Sequence, residues 1–510
     1  MLFTQLSGIS RRRAVLYTCI LASLLLAYHH FAHPKVLTPV APPPYIPFAS
    51  RECDPGQPCA RTELDALTLD RQGVLTSAGS AGQKLLCSPS GYSDGSWAFR
   101  PSPPGTVPDR MRDSLDAIKF AGFEGCASSR QVAWALGADM PEQWDRFPNV
   151  TSWDWVPGED CEGLEPWSKE KMVRHLVQDG GWLLIGDSVT ENHFFSLSCL
   201  LHPHIIATPN YNNPLVKLTT NRGSFQHLYL NPSSPLASPL YPNPITFPPG
   251  FSLSKTPLVT FRRVDILYTK EELVIMHQEL HPSFPSSTHL FSGEETHTRS
   301  AKEALDLLTA PLPYGNYGTM VVSTGGHWTT TLFSGYRDGT KEGWGVDGVV
   351  SFYEHVARRW VWEVQDRLSS EMQKERDVMM DVPGRPGALS SGPSSRKRNV
   401  VIRPYLPGHD ECREAKGVLK EVMVMEYEKY NWRHIWKYNH ILETLLTDRE
   451  VYPNIHYLSI DRPGRLRPEA HSARDCLHIM TGAGILEGWT RYIWHFVARE
   501  LGAVSPEVWP

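Results

Sequence analysis

The sequence of 510 residues predicts an α/β fold built around a parallel sheet. From about residue 170 onward, short apolar segments alternate with stretches whose apolar residues recur at helical spacing. One apolar run, Trp182–Ile185, ends abruptly at Gly186, as a buried strand does. Apolar residues make up 41% of the chain, so a large core can be buried. These observations favour a sheet with helices on both faces.

The predicted elements alternate along the chain. Strands are predicted at Trp182–Ile185, Thr319–Ser323, Val400–Pro404 and His456–Ile460. Helices are predicted at Val189–Leu201, Lys270–Leu280, Tyr353–Met372, Ala415–Tyr430, His434–Thr447 and Gly488–Leu501. The Pro- and Asn-rich stretch 202–260 predicts long loops at the edge of the sheet. The Gly- and Ser-rich stretch 377–399 predicts a mobile insertion.

The N-terminal segment is typical of a membrane anchor. Arg11-Arg12-Arg13 precede an apolar run that extends from residue 14 to residue 32. This order predicts a cytoplasmic tail (1–13) and a translocated body, as in a type II single-pass protein. A cleaved signal peptide is the alternative, because the run is short for a span. We favour the uncleaved anchor, since no small-residue cleavage site follows the run.

The segments that follow suit a secretory compartment. Residues 33–50 are Pro-rich and predict an extended stem. Residues 51–168 are rich in Cys and Trp and predict an irregular, disulfide-stapled subdomain before a catalytic domain at 169–505. Asn149 begins a glycosylation sequon. The net charge of -5 gives no sign of a nucleic-acid partner.

Eight of the nine cysteines fall after the apolar run, which contains Cys19. They are Cys53, Cys59, Cys87, Cys126, Cys161, Cys199, Cys412 and Cys476. An even number in an oxidising compartment predicts up to four disulfides. A structural zinc site is disfavoured, because no Cys-x-x-Cys pair is present. No phosphate-binding glycine motif is present either, so the sequence predicts no bound cofactor and no metal.

A nucleophilic serine is predicted at Gly186-Asp187-Ser188. The strand before Ser188 and the helix after it would hold its hydroxyl at a sharp turn, beside backbone N–H groups that can face a reacting carbonyl. The alternative is an ordinary helix cap, since Asp and Ser are both common caps.

Two other motifs supply possible partners for Ser188. Asp475 and His478 are three residues apart, so the carboxylate can orient an imidazole that deprotonates the serine. Gly325 and Gly326 follow the strand that ends at Ser323, and their N–H groups could form an oxyanion hole. A surface turn is the alternative for the first motif. The alternative for the glycine motif is a tight turn that places Trp328 in the core.

Together these motifs resemble the PC-esterase group of the SGNH/GDSL hydrolase superfamily, and in particular the plant trichome-birefringence-like proteins. The resemblance covers about residues 85–500, with its parts in the family's order. Further matches are Cys87 with Gly91 and Trp97, Trp155-x-Pro157 before Cys161, Arg403-x-Tyr405-x-Pro407-x-His409, Leu466-Arg467-Pro468-Glu469-Ala470-His471, and Trp489.

The resemblance implies a three-layer α/β/α sandwich and transfer of acetyl groups to polysaccharide hydroxyls through an acyl-serine intermediate. By carry-over, Ser188 is the nucleophile, His478 the general base and Asp475 its orienting acid. Oxyanion and substrate-site candidates are Gly186, Asp187, Asn192, Gly325, Gly326 and His327. Asp187 is expected to shape the turn that presents Ser188.

The chain departs from the family pattern at two places. Ser323 stands where the plant block opens with Asn, and an additional Gly precedes His327. Ile479-Met480 replace the Trp-Cys pair that follows the catalytic His, so one family disulfide differs or is absent. These departures indicate a distant, non-plant relative whose acceptor the resemblance does not give.

The leading hypothesis is an O-acetyltransferase acting on a cell-wall, capsular or secreted glycan. The donor would be acetyl-CoA or an acetylated intermediate, and a separate membrane protein could supply it. An acetylesterase using the same triad is the first alternative, and an inactive glycan-binding protein is the second. A metal enzyme built on His277 and His281 is disfavoured, because Glu279 is misplaced for a zinc protease motif.

Overall fold

The computed structural model describes residues 85–213, 224–284, 289–340, 343–380, 398–426, 429–472 and 474–501. The predicted tail, anchor and stem lie outside these residues, as do Cys53 and Cys59. Among the helices of the described ranges, none has the length and apolar character needed to cross a bilayer. All of the described residues belong to one compact unit, Asp65–Pro510.

The strands of the described ranges form two sheets. They are β1 Ser96–Phe99, β2 Trp153–Val156, β3 Gly181–Gly186, β4 Ile205–Thr208, β5 Phe225–Leu230, β6 Val259–Arg263, β7 Tyr317–Ser323, β8 Asn399–Ile402 and β9 Ile455–Tyr457. A 7-stranded sheet has the order β4-β5-β6-β3-β7-β8-β9, and β1 pairs with β2 in a separate antiparallel sheet. Strands β6, β3, β7, β8 and β9 run parallel, whereas β4 and β5 are antiparallel to their neighbours. The predicted α/β class with a largely parallel sheet is therefore confirmed.

Helices connect and cover the strands. They are α1 Pro89–Ser93, α2 Asp116–Phe120, α3 Val132–Ala135, α4 Lys169–Gln178, α5 Ser188–Leu200, α6 Lys270–Leu280, α7 Ala301–Leu308, α8 Gly345–Met380, α9 Ile435–Leu445, α10 Arg462–Arg465 and α11 Ile485–His495. The helical periodicity located α5, α6, α9 and α11 to within a few residues. Every residue of β3, β7 and β8 is buried, so both faces of the sheet centre are covered.

One predicted helix is wrong. Residues 415–426 form bends and irregular backbone with no helix, and residues 427–428 lie outside the described part. Gly417 and the β-branched Val418 and Val422 oppose helix formation there. The backbone instead pairs elsewhere, since the Leu419 N–H donates to the Leu466 carbonyl. Val418, Leu419 and Val422 still pack against the core, whereas Met423 and Val424 are exposed.

Two loop predictions also need correction. The stretch 202–260 contains β4 and β5, and β6 begins at Val259. Burial alternates along β5, but the sequence does not show this alternation, because Phe225 is exposed and Gln226 is buried. In the predicted insertion, Asp377 belongs to α8 and Asn399 begins β8, whereas 381–397 lie outside the described residues.

The region before α4 is mostly irregular, as predicted, and is stapled by disulfides. Disulfides join Cys87 to Cys161 and Cys126 to Cys199, and a third joins Cys412 to Cys476. The second one attaches this region to the C-terminal end of α5. The prediction of disulfides is thus confirmed for these three pairs. Asn149 of the sequon is exposed in a 3-10 turn, where a glycan could be attached.

The sheet register places three chemistry-bearing segments side by side. Gly186, at the end of β3, pairs with Arg263 on β6 and with Ser323 on β7. A Cβ at Gly186 would overlap Thr190 and the Ser323 backbone, so only glycine permits the tight passage into α5. The carboxyl edge of a parallel sheet is where α/β folds place ligands. The candidate site lies at this edge.

Candidate active site

Ser188 is the first residue of α5, directly after the end of β3. The Asp187 side chain caps the helix, since its Oδ1 accepts a hydrogen bond of 2.9 Å from the Val189 N–H. The capping role considered for this tripeptide therefore belongs to Asp187. The Ser188 hydroxyl instead lies 2.7 Å from His478 Nε2. A neutral imidazole in this position can accept the hydroxyl proton.

The other nitrogen of His478 faces Asp475. His478 Nδ1 lies 2.9 Å from both carboxylate oxygens. The Asp475 Oδ1 also accepts the backbone N–H groups of Leu477 and His478, at 3.0 and 2.8 Å. These bonds hold the carboxylate against the turn, so the short Asp-x-x-His spacing is sufficient to orient the ring. Ser188, His478 and Asp475 are thus brought into one continuous hydrogen-bonded chain.

The Asp475 carboxyl is ionised over the whole physiological range. Burial raises its pKa, but the hydrogen bonds and charge of His478 and the backbone N–H groups lower it further, to about 2. An aspartate in an unfolded chain has a pKa of about 3.9. The group therefore stabilises the folded protein above pH 4, and this contribution is lost as the pH falls towards 2.

We expect the difference in unfolding free energy between the wild type and Asp475→Asn to shrink as the pH is lowered from 4 to 2. The side chain is 39% exposed, so solvent screening keeps the difference small. Urea unfolding at several pH values measures it, and the subtraction cancels the other carboxylates. A difference that grew on acidification would contradict the lowered pKa.

The Cys412–Cys476 disulfide holds the turn that carries Asp475 and His478. Cys476 lies directly after Asp475 in the chain, and its carbonyl accepts the His409 N–H. The bond closes a loop with a sequence separation of 64. Loop entropy of this kind stabilises a folded chain by about 2–4 kcal/mol.

Replacing both Cys412 and Cys476 with Ser should lower the unfolding free energy by about 2–4 kcal/mol and also reduce kcat. Denaturant unfolding and steady-state kinetics measure the two effects. The matched control removes Cys87–Cys161, a loop of similar separation (74) that does not contain the triad residues. If both double variants lost kcat equally, the bridge would have no particular role at the site.

Trp134, which the sequence did not single out, packs against His478. The Trp134 ring meets the His478 ring edge to face, with 4.8 Å between centroids. Trp134 also lines a small cavity with Asn192 and Arg130, and the cavity leaves about 10 Å3, roughly the volume of one water. Asn192 is one turn beyond Ser188 on the same helical face. Nothing local in the sequence links Trp134 to His478, since 344 residues separate them.

His327 lies at the same sheet edge, between two buried carboxylates. Its Nε2 is 3.8 Å from Asp187 Oδ2 and 3.6 Å from Asp265 Oδ1. Arg263 donates to Asp265 over 3.0 Å, which balances one of the negative charges. The sequence analysis did not identify Asp265, because nothing in its local sequence distinguishes it. His327 is about one-third exposed, so it can reach a bound ligand.

Two further buried groups surround Asp187. Burial lowers the pKa of Arg403 to about 10, although the Asp187 charge opposes this effect. Burial also raises the pKa of Tyr405, whose hydroxyl forms a hydrogen bond with Asp187. Both residues belong to a motif in the sequence analysis that was given no role. They neutralise and fix the carboxylate that shapes the serine turn.

The glycines of the third motif have a packing role. Gly325 has a φ of +140°, and a Cβ on Gly326 would overlap the hydroxyl and ring of Tyr405. Trp328 is fully buried in the core, as the alternative interpretation of this motif held. Gly325 and Gly326 take no part in the hydrogen bonds that join the three triad side chains. Their role as oxyanion donors stays a prediction.

We expect Gly326→Ala to lower the unfolding free energy by about 1–3 kcal/mol, because the fully buried Tyr405 ring has no room to move. Thermal or denaturant unfolding measures the loss. Gly417→Ala is the control, since a Cβ there meets no atom within 4 Å. Equal stability of the two variants would contradict the packing role.

A buried histidine pair lies behind the turn that carries Asp475 and His478. His409 Nδ1 lies 2.6 Å from His471 Nε2, and His471 Nδ1 lies 3.2 Å from the His478 carbonyl. Burial lowers the pKa of both rings, that of His471 to about 3. Both are therefore neutral at pH 7. His409 Nε2 also lies 3.0 Å from the Arg465 carbonyl. Two neutral rings carry two N–H groups between them, so two of these three contacts are hydrogen bonds.

The disfavoured metal motif forms part of an aromatic cluster. His277 is buried, and its ring packs edge to face against Phe284, Tyr336 and Phe352. Glu279 instead pairs with Arg359 at 3.4 Å. Across the described ranges, no group of three or more His, Cys, Asp or Glu side chains is arranged to hold a metal ion.

No protein-family model matches the chain, and no curated protein matches it significantly. The family resemblance therefore depends on the motifs alone. The geometry adds a separate observation, the hydrogen-bonded chain from Ser188 through His478 to Asp475. What this arrangement can do is activate a hydroxyl for attack on a carbonyl.

Proposed function

We propose that this protein is an O-acetyltransferase that carries an acetyl group on Ser188 and passes it to a hydroxyl of a glycan. The observation that supports the proposal most strongly is the chain of hydrogen bonds Ser188 Oγ–His478 Nε2 and His478 Nδ1–Asp475. A serine at the start of a helix, bonded to an oriented histidine, is the arrangement used in acyl transfer.

The first half of the reaction acylates the serine. Ser188 Oγ attacks the carbonyl carbon of the acetyl donor while His478 Nε2 takes the hydroxyl proton. The oxyanion that develops would be held by N–H groups in the first turn of α5 other than that of Val189, which already donates to Asp187 Oδ1. The carbonyl then re-forms, the bond to the donor breaks, and His478 returns the proton to the leaving group.

The second half moves the acetyl group to the acceptor. A sugar hydroxyl attacks the carbonyl carbon of the acyl-serine while His478 takes its proton. The bond between that carbon and Ser188 Oγ then breaks, and His478 returns the proton to Ser188 Oγ. Asp475 stabilises the imidazolium in both halves and remains ionised.

The fold that best suits this function is the SGNH-like three-layer sandwich implied by the resemblance. The complete burial of β3, β7 and β8 supports it, because a sheet covered on both faces needs helices on each side. Membership of the PC-esterase group, with a trichome-birefringence-like enzyme as the nearest analogy, is part of the same proposal.

The proposed setting is the lumen of the Golgi or another secretory compartment. The three disulfides of the described residues suit an oxidising environment. The apolar run 14–32 would anchor the protein as a type II membrane protein. Acetyl-CoA or an acetylated intermediate would be the donor, brought to the lumen by a separate membrane protein.

An acetylesterase is the second candidate, because water could replace the sugar hydroxyl in the last step. An anchor and stem suit a biosynthetic enzyme better than a degrading one, which is why we prefer transfer. A glycan-binding protein without activity is disfavoured, because such proteins lose triad residues and this chain keeps all three.

The test incubates the detergent-solubilised full-length protein with a chromogenic acetyl ester and neutral oligosaccharides. Mass spectrometry measures acetylated sugar, and an enzymatic assay measures free acetate. We expect acetylated sugar to accumulate in proportion to donor cleavage. Acetate release without sugar acetylation would favour the esterase, and no cleavage at all would sink both enzymatic proposals.

A further inference from the structure

A second concave site lies away from the triad. It is a cleft of about 480 Å3, within the size range of small-molecule sites. Its lining combines aromatic rings, charged side chains and glycines. Much of it is formed by Tyr92, Arg100, Gly122, Phe123, Glu124, Asp154, Trp153, Trp155, Trp167, Lys169, Gly482, Gly484, Glu487, Gly488 and Arg491. We infer that this cleft binds a neutral stretch of the acceptor polysaccharide, an inference that depends on the proposed function.

The cleft lies at the C-terminal end of α5, remote from Ser188. Cys199 and Leu200, at the C-terminal end of α5, form part of its wall. A helix rises about 1.5 Å per residue, so Leu200 is about 18 Å from Ser188. A monosaccharide cannot touch both places, whereas a polymer can. The cleft is therefore a site for the chain and not for the reacting sugar.

Three half-buried tryptophans give the cleft flat apolar faces. Trp155 is held rigidly, because its indole N–H donates to the Tyr92 carbonyl over 2.9 Å. Trp167 packs edge to face on Trp494, with centroids 5.8 Å apart. Aromatic faces held in one orientation suit the flat C–H surfaces of sugar rings, since binding then costs little ordering.

The charged side chains of the lining balance one another. Lys169 pairs with Glu124 at 2.6 Å, and Arg100 pairs with Asp154. Each pair keeps further donors and acceptors for sugar hydroxyls. Arg491 is exposed, and its guanidinium lies 5.7 Å from the Trp167 ring centroid. Three cations and three carboxylates line the cleft, so its charge suits a neutral sugar better than a polyanion.

Glycines shape the wall of the cleft, and their hydrogen bonds connect it to α5. Gly482 and Gly484 both have a φ of +93°, which L side chains rarely adopt. Their N–H groups donate to the Glu487 carboxylate over 3.0 and 2.8 Å. The same carboxylate accepts a hydrogen bond of 2.6 Å from Ser196 on α5. The cleft is thus preformed and rigidly joined to the helix that carries the nucleophile.

This arrangement predicts that polymer binding and catalysis take place at two separate sites. The cleft would hold the polymer, lowering the KM for long acceptors, while the triad acts on one hydroxyl some distance along the chain. A small acetyl ester would bypass the cleft altogether. Changes in the cleft should therefore alter polymer binding and leave hydrolysis of the small ester unchanged.

The experiment measures binding of xylohexaose, mannohexaose and cellohexaose to the full-length protein by calorimetry. We expect at least one of them to bind, and Trp167→Ala and Arg491→Ala each to weaken it roughly tenfold. Trp436→Ala is the matched control, since Trp436 is 57% exposed on α9 away from the cleft. Thermal unfolding checks that each variant is folded, and the exposed Arg491 gives a second test if Trp167→Ala is not.

Ser188→Ala separates this inference from the proposed function. It should bind the hexasaccharide as the wild type does, even though it has lost activity. If the wild-type protein bound a hexasaccharide but showed no transferase activity, the cleft would still be a sugar-binding site and only the transferase proposal would be rejected. No binding by any hexasaccharide, or unchanged binding in both cleft variants, would overturn the cleft. If the cleft variants bound acetyl-CoA more weakly than the wild type but bound the hexasaccharides equally well, the assignment of the ligand as a sugar would be overturned.

Discussion

Ser188→Ala is expected to reduce kcat for cleavage of an acetyl ester by roughly 10^4- to 10^6-fold. The variant lacks the oxygen that forms the acyl intermediate, and alanine leaves the rest of the hydrogen-bonded chain in place. Residual catalysis would come from the oxyanion donors and substrate binding. Single-turnover kinetics with a chromogenic acetate, together with mass spectrometry of the acylated protein, measures the loss and the missing intermediate.

The control is Ser198→Ala, which removes another buried hydroxyl from the same helix. Ser198 accepts a hydrogen bond of 3.3 Å from the Ser128 N–H and lies ten residues from the nucleophile. We expect this variant to keep its kcat, with at most a small loss of stability. Acylation of Ser188→Ala at a rate near that of the wild type would show that another group is the nucleophile.

The centre of the fold could be predicted because its elements are encoded locally. The apolar run at Trp182–Ile185, stopped by Gly186, is β3, and the helical spacing after Ser188 is α5. Strong periodicity and a glycine at a sharp turn depend on neighbours in the sequence. Such elements can therefore be predicted without knowing how the rest of the chain folds.

The edges of the fold depended on partners that the sequence does not identify. Strands β4 and β5 pair antiparallel at one side of the sheet, and their register depends on β6. Residues 415–426 pack on the core without forming a helix, because Leu419 finds its backbone partner at Leu466. Tertiary contacts of this kind override local preference.

The candidate site shows the same contrast. Asp475 and His478 are three residues apart, so their pairing follows from a local turn. The contact between Ser188 and His478 spans 290 residues, and only the order of motifs in a family suggested it. Trp134 and Asp265 are brought to the site by the fold alone. Neither has a local feature that distinguishes it from other residues of its type.

Asp475→Asn is expected to lower kcat by about 10^4-fold while leaving the KM for a small ester nearly unchanged. The Asn oxygen can replace Oδ1 and accept the same hydrogen bonds from the N–H groups of Leu477 and His478, so the turn stays intact. The Asn NH2 group then faces His478 Nδ1 as a donor. The imidazole proton moves to Nε2, which can no longer accept the proton of Ser188.

Two measurements distinguish this effect from simple unfolding. The unfolding midpoint at pH 7 should fall only slightly, and the rate at which a phosphonate ester labels Ser188 should fall with kcat. His478→Ala provides the comparison, since it removes the base itself and should slow labelling at least as much. A variant that was labelled at the wild-type rate but turned over slowly would place Asp475 in a later step. Unchanged kcat in Asp475→Asn would mean that the carboxylate supports only the turn, because the tautomer argument requires a large loss.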